Sequence, residues 1–265
     1  MAVELMTSAV CWDMDANVSA AFAHTAKELF YFCPCCLREV AASVSTLGNF
    51  FFLALNSHQR GCANEKAKPQ DSGVTGVQKS GPAASPQALI PTHLGKLGKR
   101  RKSAKPSTAE MQALVARVED ARPMHPGTLA EVVDAWSSMT TSERHQTPLS
   151  IAGQQLSYFD AFAQLSPTQK DTTLLECDRV ITFAPATVSV LSHVVLVVTW
   201  LKFETQNKPV PIRAKMKSTD PAAAQLTNGQ KVKLFLHGPA PTLNAQQTYY
   251  EMSLATAYSG SVVTA

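Results

Sequence analysis

The chain has 265 residues, 45% hydrophobic and 17% charged, with a net charge of +4. This is the balance of a globular protein, long enough for one large domain or two smaller ones, and +4 is too mild to decide a partner. The longest apolar stretch, Val194 to Leu201, is about eight residues where a spanning helix needs roughly twenty, so no membrane span is expected.

Residues 1–63 form the first expected unit. Five of the six cysteines lie here, at 11, 33, 35, 36 and 62. The N-terminus lacks a basic n-region, and Glu4, Asp13 and Asp15 interrupt its apolar pattern, so a secretion leader with a disulfide framework is not expected. A reducing, cytoplasmic setting with a bound metal fits better. Phe30-Tyr31-Phe32 and Phe50-Phe51-Phe52 read as short strands, with Gly48-Asn49 as a turn between them. A unit this small cannot bury a sufficient core without a staple.

Cys33, Cys36, His58 and Cys62 supply one. They run C-x2-C, then twenty-one residues, then H-x3-C. Three thiolates and an imidazole complete a tetrahedral Zn²⁺ shell and leave no open position, so the expected zinc is structural. Cys35 could replace one of the paired cysteines, at the cost of a strained chelate with Cys33. Cys11 and His24 are further possible ligands.

The run Tyr31-Phe32-Cys33-Pro34-Cys35-Cys36, with Val40 and His58-Gln59-Arg60-Gly61-Cys62, resembles the N-terminal zinc-finger module of the competence protein CoiA-like family. The resemblance covers about residues 30–64. It implies zinc binding and a link to DNA. The family's nuclease-like domain has no counterpart motif, since no Asp is followed by Glu-x-Lys on a strand, so cleavage is not implied.

Residues 64–106 read as a flexible basic linker. Pro69, Gly73, Gly76, Gly81, Pro82, Pro86 and Pro91 break any periodicity. Nine Lys/Arg stand against Glu65 and Asp71, a net of +7. The run ending the segment, with Lys99, Arg100, Arg101 and Lys102, could contact phosphates or could be a solvated tail.

A second domain is expected over 107–265. Ser107-Thr108-Ala109-Glu110 fits a capping box, and Met111, Leu114, Val115 and Val118 give a helix to about Ala121. A second helix covers Thr128–Met139, with Leu129, Val132, Val133 and Trp136 on one face. Tyr158, Phe159, Phe162 and Leu165 suggest a third. Strands follow at Val180–Phe183, Val194–Glu204, Val210–Lys217, Lys231–His237, Tyr249–Ala257 and Ser261–Ala265. The fold class is therefore α+β, a zinc-finger module and linker followed by helices and a β-rich, OB-like barrel or sandwich.

Period-two alternation puts Arg213, Lys215 and Lys217 on one face of their strand, and Lys231, Lys233, Phe235 and His237 on one face of theirs. If the two strands pair, five cations surround an aromatic and a histidine, a composition suited to single-stranded nucleic acid on an OB-type sheet. The plainer alternative is a polar outer face, offset by Glu204 and Glu251.

No G-x-S-x-G, P-loop, G-x-G-x-x-G or H-E-x-x-H motif is present. Glu176 and Asp178 form an isolated carboxylate pair, Cys177 reads as a core residue, and His125, His145 and His193 are scattered. The expected function is therefore a non-enzymatic, zinc-stabilised nucleic-acid-binding protein, with DNA preferred over RNA as partner. The alternatives are a protein-interaction subunit that offers Val210–Lys217 as an edge strand, and a divalent-metal-dependent nuclease with an unrecognised site.

Overall fold

The computed structural model describes residues 5–46, 48–65, 89–97, 101–118, 120–165, 177–205, 208–252 and 255–264. The chain is mixed α+β, with many strands and few helices. It divides into two compact units, Met1–Ile90 with Leu97–Pro126, and Pro91–Lys96 with Gly127–Ala265.

The first unit is built on an antiparallel sheet of β1 (Ser8–Cys11), β2 (Ala16–Ser19), β3 (Tyr31–Phe32), β4 (Glu39–Val44) and β5 (Phe50–Ala54), in the order β2-β1-β3-β4-β5. Gly48, at φ +82°, turns the β4–β5 hairpin, a conformation that costs a side-chain-bearing residue more than glycine. Alternation splits the strands between two layers. Ala9, Cys11 and Tyr31 pack with α1 (Ala20–Thr25), Val40 and Phe52 on one face. Val10, Phe30 and Phe32 pack on the other with Met111, Leu114 and Val118 of α2 (Thr108–Val118).

Helix α2 starts at the expected capping box. The Ser107 backbone N–H donates to Glu110 Oε2 (2.7 Å), and the Glu110 N–H donates to Ser107 Oγ (3.3 Å). Its apolar face, however, closes the first unit, where the sequence had attached it to the second domain. Full burial of side chains such as Met111 and Leu114 contributes roughly 1.5–3 kcal/mol each.

Lys99, Arg100 and most of the expected linker lie outside the described residues. Among its described residues, His93–Leu94 form a strand of the second unit, and Arg101–Lys105 are not a free tail. The Lys102 backbone N–H donates to Asp13 Oδ1 (2.5 Å) and the Trp12 indole donates to the Ala104 carbonyl (3.1 Å). The Arg101 guanidinium lies 4.3 Å from the Phe30 ring centroid. Aromatic faces and the Asp13 carboxylate have turned this part of the basic run into a strap on its own unit.

The second unit has two layers. A four-stranded sheet of β6 (His93–Leu94), β7 (Pro126–Gly127), β8 (Pro148–Ile151) and β9 (Gln154–Ser157) runs β7-β6-β8-β9, accompanied by α3 (Leu129–Ser138) and α4 (Thr141–Gln146). An eight-stranded sheet comprises β10 (Phe162–Gln164), β11 (Cys177–Val190), β12 (Val194–Phe203), β13 (Val210–Lys217), β14 (Lys231–Gly238), β15 (Thr242–Leu243), β16 (Tyr250–Glu251) and β17 (Gly260–Thr264). Its path is β15-β16-β13-β12-β11-β14-β17, with β10 parallel to β11, and it curls into a half-barrel. The inner face buries Ala186, Val188, Val197, Phe203, Ile212 and Leu234. Part of the outer face is covered by α3, whose Trp136 lies 4.8 Å from Phe162, 5.3 Å from Phe183 and 5.6 Å from Phe235 between ring centroids.

Two expectations change here. The segment around Tyr158–Leu165 is a turn entering β10, because Ser157 Oγ accepts the Asp160 N–H (3.0 Å) and Ile181 N–H bonds the Ala161 carbonyl. Of the strand expected over Tyr249–Ala257, the described residues form Tyr250–Glu251, with 253–254 outside them; at its start Asn244 Oδ1 takes the N–H groups of Thr248 and Tyr249.

Candidate metal centre and basic sheet face

The C-x2-C segment leaves β3 in a tight turn. Leu37 N–H bonds the Cys33 carbonyl, Cys33 N–H bonds the Arg38 carbonyl (both 2.9 Å), and Leu37 takes a positive φ of 57°. The turn points both sulfurs inward, leaving Cys33 fully buried and Cys36 nearly so. The second pair follows β5. Gly61, at φ +84°, bends the chain back so that His58 and Cys62 meet the first pair. The Gly61 N–H donates to Glu65 Oε2 (2.6 Å), which fixes that return.

One ligand atom from each of Cys33, Cys36, His58 and Cys62 lies within 4.8 Å of the others, a cluster that could hold a metal ion. The Cys33 and Cys62 sulfurs are 3.8 Å apart. His58 Nδ1 is 3.3 Å from Cys36 Sγ and 3.7 Å from Cys62 Sγ. A tetrahedral ion with bonds of ~2.3 Å to sulfur and ~2.0 Å to nitrogen has S···S edges of about 3.8 Å and S···N edges of about 3.6 Å. The donor set and spacing thus fit zinc. Asn64 supports the sulfurs from outside, its Nδ2 donating to Cys33 Sγ and its backbone N–H to Cys62 Sγ, both at 3.4 Å.

The electrostatics favour a thiolate at Cys36 and resist one at Cys62. Burial alone would raise the Cys36 thiol, but hydrogen bonds from the backbones of Gln59 and Arg38 and from the His58 and Cys62 side chains outweigh it and lower it to about 6. Cys62 is pushed up, first by burial and then by the neighbouring sulfurs of Cys35, Cys36 and Cys33. Collecting further thiolates at this site calls for a cation among them.

The other candidate ligands do not join the four. Cys11 is buried in β1, where desolvation pushes its thiol up to about 12. The His24 ring is 5.3 Å from the Phe50 ring. Cys35 is exposed at the rim, where with Cys36, Arg38, Gln59, Thr108 and Gln112 it lines an open depression of about 410 Å³.

The basic strands occupy different places from those expected. β13 and β14 do not pair, because β12 and β11 lie between them. Along one cross-strand row, Arg213 faces Val198, Val198 faces Thr187 and Thr187 faces Lys231. Phe235 and His237 are buried, Phe235 fully beneath Trp136, so the expected aromatic of this face is covered. The Arg213 guanidinium stacks on Tyr249, 3.1 Å from its centroid. Lys215, Lys217, Lys231 and Lys233 are exposed. β13 is also no edge strand, since it sits between β12 and β16.

The sequence reading missed Trp200. It is 52% exposed in the second half of β12, after the aliphatic run Val194–Val198. Its period-two position beside Val194, Leu196 and Val198 was the available signal, and the aliphatic run hid it. Asn64 carried no motif at all.

Comparison of the chain with protein-family models, curated proteins and solved structures finds no match among them. The CoiA-like resemblance therefore rests on the Cys/His cluster. No helix among the described residues is long and apolar enough to cross a membrane.

Proposed function

We propose that the chain is a zinc-stapled, non-enzymatic protein that binds nucleic acid on the outer face of its curled, OB-like sheet. Zinc at Cys33, Cys36, His58 and Cys62 is a structural staple in this reading, because four protein ligands leave no position for a substrate. The observation that carries the binding function is charge. β12, β13 and β14 hold six cations, Lys202, Arg213, Lys215, Lys217, Lys231 and Lys233, and no carboxylate. β11, which lies between β12 and β14, adds Asp178 and Arg179 at its start, and Glu251 lies on β16 beside β13. A predominantly positive surface of this kind attracts phosphates by releasing condensed counterions. The CoiA-like resemblance makes DNA the expected polymer.

The test is the salt dependence of binding to labelled DNA by the full zinc-loaded chain. Affinity should fall steeply as salt rises, and glutamate at Lys215, Lys217, Lys231 and Lys233 together should abolish binding. An affinity indifferent to salt, or undiminished in that variant, contradicts the proposal.

A protein-interaction role has one observation of its own. Val44, Phe50, Leu53 and Leu55 expose apolar side chains on and beside the β4–β5 hairpin of the first unit. A stoichiometric protein partner that co-purifies and survives nuclease treatment would favour that role over nucleic-acid binding.

A further inference from the structure

The aromatic group at the open part of the large sheet is Trp200, and its position is built. The β12–β13 register shifts between Val198 and Lys202, so that Thr199, Trp200 and Leu201 all stand against the single residue Ile212. Irregularities of this kind concentrate near functional sites. The shift is by two residues, so the alternation is kept: Thr199 and Leu201 face the core, and Trp200 stays on the outer face with Val198 and Lys202. Thr199 Oγ1 replaces the lost ladder acceptor by receiving the Ile212 N–H (3.0 Å), and in turn donates to the Leu201 carbonyl (2.8 Å). The indole is held at its edge, with Nε1 donating to Thr187 Oγ1 (2.7 Å). A large aromatic ring, half exposed and fixed at one edge, has already lost the rotamer freedom that a ligand would otherwise have to remove.

Its surroundings select the ligand. The Lys231 ammonium is 5.7 Å from the ring centroid. Lys202 follows two residues along the same face, and Lys233 two residues beyond Lys231, its ammonium 5.5 Å from the Trp136 ring. Exposed lysines beside a fixed aromatic plane complement a polyanion that carries flat, unpaired bases. In a duplex those bases are stacked on one another and out of reach of the ring.

We propose that the face around Trp200 binds single-stranded nucleic acid, with one base stacked on the Trp200 indole and the flanking phosphates held by Lys202, Lys231 and Lys233. This rests on the nucleic-acid reading above and narrows it to one class of strand and one platform residue.

The experiment measures binding of a labelled oligo-dT of about twelve nucleotides, and of a matched duplex, by the full zinc-loaded chain. The wild type should prefer the single strand. Trp200→Ala should weaken its binding by about tenfold to a hundredfold, whereas Trp200→Phe, which keeps a ring, should stay much closer to wild type. Thermal unfolding of both variants tests folding separately, and base stacking on Trp200 should quench tryptophan fluorescence in the wild type and not in Trp200→Ala. If Trp200→Ala binds oligo-dT as tightly as wild type while the lysine variants lose binding, the Trp200 inference falls and the nucleic-acid reading stands. Equal affinity for single strand and duplex also overturns the inference. If neither polymer binds at low salt, both fall together.

Discussion

The ammonium of Lys102 lies 3.8 Å from the centroid of the Trp12 indole. The same lysine pairs with Asp15 through Nζ (3.0 Å), and Lys105 pairs with Glu39 (2.6 Å). Positive charge that would otherwise be available to a phosphate is thus partly engaged within its own unit. Exposed ion pairs contribute little by themselves, but a cation over an aromatic face adds roughly 0.5–1 kcal/mol.

Trp12→Ala should therefore release the 101–105 strap. Limited trypsin digestion reads this directly, since cleavage after Arg101 and Lys102 should be slow in the wild type and fast in the variant; the Lys105–Pro106 bond resists trypsin in both. Raising salt should speed wild-type cleavage only modestly, because the Lys102 N–H and the Trp12 indole make hydrogen bonds that salt does not screen. Equal cleavage of wild type and variant would show that the strap is not docked.

Thr199 should be the most sensitive polar residue of the large sheet. It is 3% exposed, and its hydroxyl serves both the Ile212 N–H and the Leu201 carbonyl. Thr199→Val keeps the shape but strands a buried donor, at a cost of roughly 1–3 kcal/mol. Thr199→Ser keeps the hydroxyl and should cost less. Urea unfolding of the two variants compares them. Equal stability would mean that Thr199 does not hold the bulge.

Much of this arrangement could be read from local signals. The Ser107–Glu110 box and the spacing of Met111, Leu114 and Val118 locate α2, and the spacing of Cys33, Cys36, His58 and Cys62 locates the cluster. Strands β13 and β14 emerge from alternation alone. Their neighbours do not, because which strands pair depends on contacts distant in sequence. The same limit applies to the cover over Phe235 and to the side of the chain on which α2 packs. α4 escaped because none of its side chains is buried, which left a capping box at Thr140 with no apolar period after it.

The capping boxes carry a dependence on pH. Hydrogen bonds from the Ser107 hydroxyl and then the Ser107 N–H hold the Glu110 carboxyl below its ordinary value of 4.5. A carboxyl depressed in the folded state adds stability that is complete above that ordinary value and is lost as pH falls through the lower folded one. Wild type should therefore lose thermal stability over that acidic window more steeply than Glu110→Ala. Superimposable profiles would remove Glu110 as a contributor.

The claim on which the rest depends is that one metal ion holds the Cys/His cluster. Elemental analysis of protein purified without added metal tests it most directly. We expect one zinc per chain in the wild type, near-complete loss in Cys36→Ser and His58→Ala, and full retention in Cys35→Ser and Cys11→Ser. Metal-free wild-type protein that remains folded, or zinc retained after removal of Cys36 or His58, would contradict it.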